Sequence, residues 1–228
     1  MTAPGYGFLR ANALSLVFGA LFIATLFGQA IAGTADFNAQ QLTNGLPTVS
    51  FLDYVTSSSF GVDVMENWQS EYLQFSLYVF ATVWLVQRGS SESKEPAQEG
   101  TESDREQLIG PHAVEESPAW ARTGGWRTAL FSRSLGLLMS VLFLLTWAAS
   151  SVAGWAAYNA EQLGQRQDPV SYVGYLGEAD FWDRSFQNWQ SEMLAVGSMA
   201  IFAVYLRQRG SPESKPVGAA HADTGQTG

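Results

Sequence analysis

Long apolar runs alternate along the chain with polar stretches that hold nearly all the charge. Leu14 to Ala32 and Leu135 to Ala157 contain no charged side chain. At 1.5 Å per helical residue, runs of this length cover roughly the 30 Å hydrocarbon core of a bilayer. Two shorter runs become long enough if they begin at Trp68 and Trp189, since indoles favour the membrane interface. The pattern predicts an all-α membrane protein with four transmembrane helices at about 14–32, 68–86, 135–157 and 189–206.

The second half of the chain repeats the first. A shift of 121 residues aligns Leu9–Lys94 with Leu130–Lys215 without a gap, and 32 of the 86 aligned positions are identical. Chance similarity between apolar helices does not produce long polar segments in a constant register. Two such segments recur: Asn-Trp-Gln-Ser-Glu at 67–71 and 188–192, and Gln-Arg-Gly-Ser-x-Glu-Ser-Lys at 87–94 and 208–215.

The two repeats are predicted to enter the membrane in the same direction, because each carries two spans. Parallel repeats imply a pseudo-two-fold axis along the membrane normal, in contrast to inverted-repeat transporters. The region between them is rich in Glu, Ser, Gly and Pro, which is typical of disorder. The predicted organisation is repeat 1 at 1–94, a disordered acidic cytoplasmic linker at 95–118, repeat 2 at 119–215 and a disordered tail at 216–228.

The distribution of basic residues predicts the topology. All Lys and Arg residues except Arg166 and Arg184 fall on one side of the four predicted spans. The positive-inside rule places both termini and the linker in the cytoplasm, in a bacterial inner membrane. A cleavable signal peptide ending near Ala32 is an alternative for the first span. The similar small-residue ending at Ser151–Gly154 favours a repeated helix instead.

The two outer loops are predicted to form short interfacial helices. Val49–Val55 and Val170–Leu176 mix apolar and polar residues over about two turns. Further along the second loop, aromatic and apolar residues recur at helical spacing, so that one face would lie on the bilayer. These residues are Phe181, Trp182, Phe186, Trp189 and Met193.

Composition argues against most kinds of chemistry. The net charge is −9, so the chain lacks the basic face that nucleic-acid binding needs. Cysteine is absent, and the two histidines, His112 and His221, stand far apart. The acidic residues show no metal-ligand spacing. We therefore expect no catalytic residues, no metal site and no cofactor.

The repeated Gln-Arg-Gly-Ser segments follow the second and fourth spans. Gly89 and Gly210 suit the left-handed residue that ends a helix. Ser211-Pro212-Glu213 has the pattern of a new helix start. These segments are interpreted either as anchored helix ends or as cytoplasmic contacts with lipid or a partner. The contact residues in the second interpretation are Arg88, Lys94, Arg209 and Lys215.

The repeated Asn-Trp-Gln-Ser-Glu segments supply the candidate site. In each, the Glu lies four residues after the Asn, so both project from one helix face. A pseudo-two-fold axis would bring the two segments together as an external cation or partner site. The alternative is structural: Trp as an interfacial residue, with Asn and Glu suited to a first helical turn. The candidate residues are Asn67, Trp68, Glu71, Asn188, Trp189 and Glu192.

These repeated motifs resemble those of a family of uncharacterised bacterial integral membrane proteins, a domain of unknown function. Its recurring features are Asn-Trp-(Gln/Glu)-Ser-Glu-x-Leu, ending here in Leu73 and Leu194, and a basic-Gly-Ser-x-Glu-Ser-Lys segment. The resemblance covers both repeats but neither the linker nor the tail. It implies the duplicated two-helix architecture. The family has no assigned activity, so no catalytic residue is implied.

The sequence favours a non-enzymatic role as a structural, scaffolding or accessory subunit. Its expected partners are the lipid bilayer and either a larger membrane complex or further copies of itself, with no nucleic acid. The alternative is a small oligomeric channel or transporter. Glu71, Gln74 and Tyr78 form a polar stripe on one helix, but Ala195 and Met199 replace the last two in the second repeat. Substrate, partner and oligomeric state are not readable from the residues.

Overall fold

The computed structural model describes residues 7–226 of the chain. Within that range every regular element is helical, which confirms the predicted all-α class. Four helices are long, and short helices precede or connect them. The helices are α1 (Phe8–Ala11), α2 (Ala13–Thr43), α3 (Phe51–Val55), α4 (Ser58–Trp84), α5 (Ala119–Thr123), α6 (Gly125–Phe131), α7 (Ser134–Gly164), α8 (Tyr172–Tyr175) and α9 (Ala179–Tyr205), with a 3-10 turn at Gly110–His112.

Helices α2 and α7 are long and apolar enough to cross a membrane. Each contains 31 residues, or about 46 Å of helix against a hydrocarbon core of about 30 Å. They include the spans predicted at 14–32 and 135–157. Helices α4 and α9 contain 27 residues each, but polar side chains interrupt their apolar stretches. Among the described helices, α2 and α7 alone have both the length and the apolar composition of a membrane span.

Helices α4 and α9 begin earlier than the spans predicted from hydropathy. They start at Ser58 and Ala179, where the prediction placed the starts at Trp68 and Trp189. A helix satisfies its backbone hydrogen bonds internally, so a change from apolar to polar side chains does not end it. Phe181–Met193 therefore belongs to α9 and does not form a separate helix in the loop. The short helices found in the two loops that were predicted to lie outside are α3 and α8.

Serine side chains cap both of these short helices. The Ser50 hydroxyl accepts a hydrogen bond from the Asp53 N–H at 3.2 Å, and the Asp53 carboxylate accepts one from the Ser50 N–H at 3.3 Å. The Ser171 hydroxyl likewise accepts from the Gly174 N–H at 3.1 Å. Each cap satisfies a backbone donor in the first turn of the helix. The short helices are thereby fixed, and each carries a buried tyrosine.

The chain divides into two compact units. The first comprises residues up to 63 together with 153–168. Its core contains Tyr54, whose ring centroid lies 5.4 Å from that of Phe37. Gly33 allows Tyr54 to approach α2 closely, because a Cβ atom at this position would lie 2.3 Å from the tyrosine hydroxyl.

The remaining residues form the second unit. Here α4 and α7 approach closely at Gly136, where a Cβ atom would lie 2.7 Å from the Phe80 ring. The hydroxyl groups of Ser76 and Ser140 share a hydrogen bond of 2.7 Å between the same two helices. Small residues and paired hydroxyls are the means by which helices pack in an apolar environment.

The segments 95–118 and 216–226 contain turns and the 3-10 turn at Gly110–His112. The disorder predicted for linker and tail stays a prediction. In the structure, residues of the tail hydrogen-bond to the polar segment that follows α4. These contacts form part of the site described next.

Candidate functional site

The two Asn-Trp-Gln-Ser-Glu segments lie in the middle of α4 and α9. Nine residues of helix precede each of them. Backbone N–H groups at such positions are already bonded within the helix, and only the first turn of a helix needs side-chain acceptors. The interpretation that Asn and Glu serve a first helical turn is therefore wrong.

Hydrogen bonds join the two segments to each other. The Trp189 indole Nε1 donates to the Gln69 Oε1 at 2.8 Å. The Ser70 hydroxyl lies 3.3 Å from the Glu192 Oε1 and donates to it. Gln69 is 1% exposed. The structure thus brings the segments together through Gln69 and Ser70, two residues that the sequence analysis did not single out.

The other candidate residues take different positions. Glu71 is exposed, and the carboxyl group of Glu192 is close enough to interact with it electrostatically. Asn188 donates to the Arg184 carbonyl of its own helix at 2.9 Å, and the Asn67 carbonyl accepts from the Ser70 hydroxyl at 2.9 Å. Trp68 is half-buried. Trp189 and Glu192 thus donate or accept side-chain hydrogen bonds between α9 and α4.

Trp189 also belongs to an aromatic cluster. Its ring centroid lies 5.7 Å from that of Trp147 and 5.6 Å from that of Phe186. Trp147 stacks on Phe143 and on Phe181, and its indole donates to the Ser185 hydroxyl at 3.3 Å. Offset and edge-to-face ring pairs at these distances stabilise packing. The cluster comprises Phe143, Trp147, Phe181, Trp182, Phe186 and Trp189.

A network of charged groups lies nearer the start of α9. Arg184 reaches the Asp180 carboxylate at 3.2 Å and the Glu66 carboxylate at 3.4 Å. Burial acts to lower the pKa of Arg184, but these carboxylates outweigh it and raise the pKa above its usual value. The Tyr175 hydroxyl donates to Asp180 at 3.1 Å, and burial raises the pKa of Tyr175. The spacing of Asp180 and Arg184 was the available sequence signal for this network.

The two Gln-Arg-Gly-Ser-x-Glu-Ser-Lys segments, hereafter turn segments 87–94 and 208–215, have the same local structure. In each, the serine hydroxyl just before the final lysine accepts a hydrogen bond from the backbone N–H of the first glutamine at 2.9 Å; these serines are Ser93 and Ser214. The glycines Gly89 and Gly210 have φ of 86° and 81°. The left-handed glycine was predicted correctly. The prediction that these glycines end the two helices was wrong, because α4 and α9 end five residues earlier, at Trp84 and Tyr205.

Ser211-Pro212-Glu213 forms a turn, so the new helix predicted there is absent from the described structure. The Ser211 hydroxyl instead accepts from the Glu213 N–H at 3.2 Å, as the Ser90 hydroxyl does from the Glu92 N–H at 3.3 Å. Such short-range hydrogen bonds of serine offer the backbone an alternative to a helix.

The two lysines of these segments point into the protein. The Lys94 ammonium lies 2.6 Å from the Glu102 carboxylate. Lys215 is 1% exposed, and its ammonium donates to the carbonyls of Ala220, His221 and Asp223 at 2.9–3.1 Å. Arg88 and Arg209 are exposed. Of the four basic residues predicted to contact lipid or a partner, the two arginines are thus the accessible ones.

Equivalent glutamates of the two turn segments form an acidic pair. The carboxyl groups of Glu92 and Glu213 lie within hydrogen-bonding range of each other. The Tyr78 hydroxyl of α4 donates to the Glu92 carboxylate, and the Ser91 hydroxyl donates to the Glu213 carbonyl at 3.1 Å. This pair was not predicted from the sequence, although the common position of the two glutamates in the repeated motif was a usable signal.

The tail closes over the first turn segment. The Gly89 N–H donates to the Thr224 hydroxyl at 2.8 Å, and the Gly225 N–H donates to the Ser90 carbonyl at 3.0 Å. Between them lies a cavity of about 560 Å³. Glu92 lines this cavity, so its carboxyl group has a route to solvent.

Among the described residues, no group of three or more His, Cys, Asp or Glu side chains is arranged to hold a metal ion. The titratable groups form pairs and short networks that bond to one another. Such an arrangement can stabilise helix packing and hold a proton. It provides no nucleophile next to a base among the contacts described above.

Fold and geometry together define an all-helical protein with two helices suited to cross a membrane and with paired polar segments on its other two long helices. The profile of a family described as a domain of unknown function, DUF6766, matches residues 6–226. The chain belongs to this family, which confirms the resemblance to an uncharacterised family. Comparison with curated proteins and with solved structures found no significant match.

Proposed function

We propose that this protein is a four-span protein of the bacterial inner membrane that acts as a non-enzymatic structural or accessory subunit. The carrying observation is the apolar surface of α2 and α7. Of the most apolar stretch of each helix, only 6% and 17% of the residues are buried within the chain. A soluble protein would bury such a surface, whereas a bilayer covers it.

The duplicated architecture supports this proposal. The bounds of α2 and α7 differ by 121 residues at both ends, as do those of α4 and α9. Tyr54 and Tyr175, which are related by the same shift, are both almost fully buried. Parallel repeats of two helices account for four spans, with α4 and α9 as the second and fourth.

The polar contacts of α4 and α9 favour a structural role over transport. Gln69 bonds to Trp189, and Ser70 bonds to Glu192. Ser76 of α4 bonds to Ser140 of α7. Polar side chains that satisfy one another between helices stabilise packing in an apolar environment, whereas a transport pathway presents them to a cavity.

Purification from the native host in a mild detergent tests the accessory role. We expect a stoichiometric protein partner, or an oligomer of this chain, to co-purify. The exposed arginines Arg88 and Arg209 are the proposed contacts with anionic lipid or with that partner. The variants R88A and R209A test these contacts: each is expected to reduce the amount of lipid or partner that co-purifies. Recovery of a monomer without a partner from native membranes would contradict the proposal.

A small oligomeric channel or transporter is the second candidate. The observation in its favour is the hydrogen bond from Tyr78 to Glu92. It extends the stripe of Glu71, Gln74 and Tyr78 along α4 to the acidic pair of the turn segments. Measurement of ion and proton flux in proteoliposomes separates the two functions. An accessory subunit gives no flux above that of protein-free liposomes.

The topology gives a direct prediction. A reporter fused after Lys94 and one at Gly228, which lies outside the described residues, are expected in the cytoplasm. A reporter inserted within 43–47 is expected outside, because the basic residues fall almost entirely on the other side of the spans. Alkaline phosphatase and green fluorescent protein fusions measure the two sides. An external reporter at Gly228 would overturn the four-span arrangement.

A further inference from the structure

The acidic pair of the turn segments is the feature that the proposed function leaves unexplained. Glu92 and Glu213 have the same place in two segments of the same structure, and their carboxyl groups are within hydrogen-bonding range. Two ionised carboxylates at that distance repel each other, whereas a pair that shares one proton is held by a short hydrogen bond. The contact therefore requires a proton.

We propose that Glu92 and Glu213 form a proton-operated latch, in which one shared proton joins turn segment 87–94 to turn segment 208–215 and its loss separates them. On opening, the proton passes to solvent through the cavity that Glu92 lines, and two carboxylates remain. The bond from the Ser91 hydroxyl to the Glu213 carbonyl is the neighbouring contact that opening would break.

The groups around Glu92 determine the direction of the pH effect. Burial raises the pKa of Glu92 above its usual 4.5, and the Glu213 carboxyl group raises it further. The Tyr78 hydroxyl acts in the opposite direction, because it donates to the ionised form. Lys94 and Glu95 also line the cavity, with the Lys94 ammonium held by Glu102. The tail contributes two uncharged residues, Thr224 and Gly225.

The sign of the linkage follows from the raised pKa. The folded state holds a proton on the pair more tightly than the unfolded chain holds one on an isolated glutamate. The stabilisation is therefore fully present below pH 4.5, the usual pKa, and is lost as the pH rises through the raised pKa of Glu92. The latch is closed at the lower pH and open at the higher pH.

The chain contains no cysteine, so two introduced cysteines give a clean distance measurement. Arg88 and Arg209 are exposed and occupy equivalent positions in the two turn segments. The full chain carrying R88C and R209C is spin-labelled and placed in phosphatidylcholine–phosphatidylglycerol nanodiscs. The label distance is measured at about pH 4, below the usual carboxyl pKa, and at about pH 9, well above it.

We expect a short, narrow distance distribution at the lower pH and a longer, broader one at the higher pH, reversibly. In Glu92→Gln the amide donates to Glu213 at every pH, so the distance stays short and the response disappears. Tyr78→Phe removes the group that favours ionised Glu92, so the midpoint moves to higher pH. Glu95→Gln, in the same cavity lining, is the matched control and keeps the response.

Two results would overturn the latch. One is an unchanged distance between the two pH values in the otherwise unaltered chain. The other is a pH response that persists in both Glu92→Gln and Glu213→Gln. Circular dichroism of each variant establishes that its helices are intact. The infrared C=O stretch of a protonated carboxyl group, expected at the lower pH and absent in Glu92→Gln, gives a second readout that does not depend on the labels.

Discussion

Replacement of Tyr175 by Ala is expected to lower the free energy of unfolding by about 3 to 5 kcal/mol, the range for removing a large buried aromatic side chain. Tyr175 is 1% exposed. Its ring packs edge-on against Phe181 at 5.7 Å, and its hydroxyl donates to Asp180. The change removes both the ring and the hydrogen bond, and leaves a cavity between α8 and α9.

Thermal unfolding in detergent measures this effect, with a decrease in Tm of roughly 6 °C or more. Tyr175→Phe keeps the ring and loses only the hydroxyl, so about 1 to 2 kcal/mol is expected. Val173→Ala is the matched control on the same short helix. Val173 is 78% exposed, and its replacement should change stability by less than about 0.5 kcal/mol. Equal effects of Tyr175→Ala and Val173→Ala would contradict the prediction.

Trp189→Ala is expected to have the second largest effect, about 2 to 4 kcal/mol, because Trp189 is only partly buried. The change removes ring contacts with Trp147 and Phe186 and the hydrogen bond to Gln69. Trp84→Ala is the control, since Trp84 is 58% exposed at the end of α4. A loss no larger than that of the control would show that Trp189 serves as a surface aromatic.

A double-mutant cycle isolates the hydrogen bond between the two long helices. Trp189→Phe keeps an aromatic ring, and Gln69→Leu keeps the volume of the side chain. If the indole donates to Gln69 as the distance of 2.8 Å indicates, the two effects should be non-additive by about 0.5 kcal/mol or more. Strictly additive effects would show that the hydrogen bond between Trp189 and Gln69 does not contribute to the stability of the protein.

The existence of the long helices could be predicted because charge-free runs of this length have few other uses. Their bounds could not. The hydropathy of α4 falls near Trp68, yet the helix extends back to Ser58, because helical hydrogen bonds are local and insensitive to which solvent a side chain meets. The same local rule explains why Phe181 and Trp182 lie in α9 and not in a separate surface helix.

The candidate site was predicted in part. The repeated motif identified Trp189 and Glu192, but their partners are Gln69 and Ser70. The sequence does not mark those two residues as partners, since Gln and Ser are common on any helix surface. The Glu92–Glu213 pair depends on the approach of segments more than 100 positions apart, which residue spacing within one segment cannot report. The common position of the two glutamates in the repeated motif was the strongest clue to this pair.

Because Lys94 and Lys215 point into the protein, the rate at which an amine reagent modifies them reports whether the tail is in place. These are the two lysines of the sequence, and backbone carbonyls accept from both ammonium groups. A reagent that acylates primary amines needs an accessible, deprotonated nitrogen, so it should modify Lys94 slowly and Lys215 hardly at all while the tail is in place. Release of the tail would expose Lys215 first to such a reagent, and the modified peptide would record the event by mass.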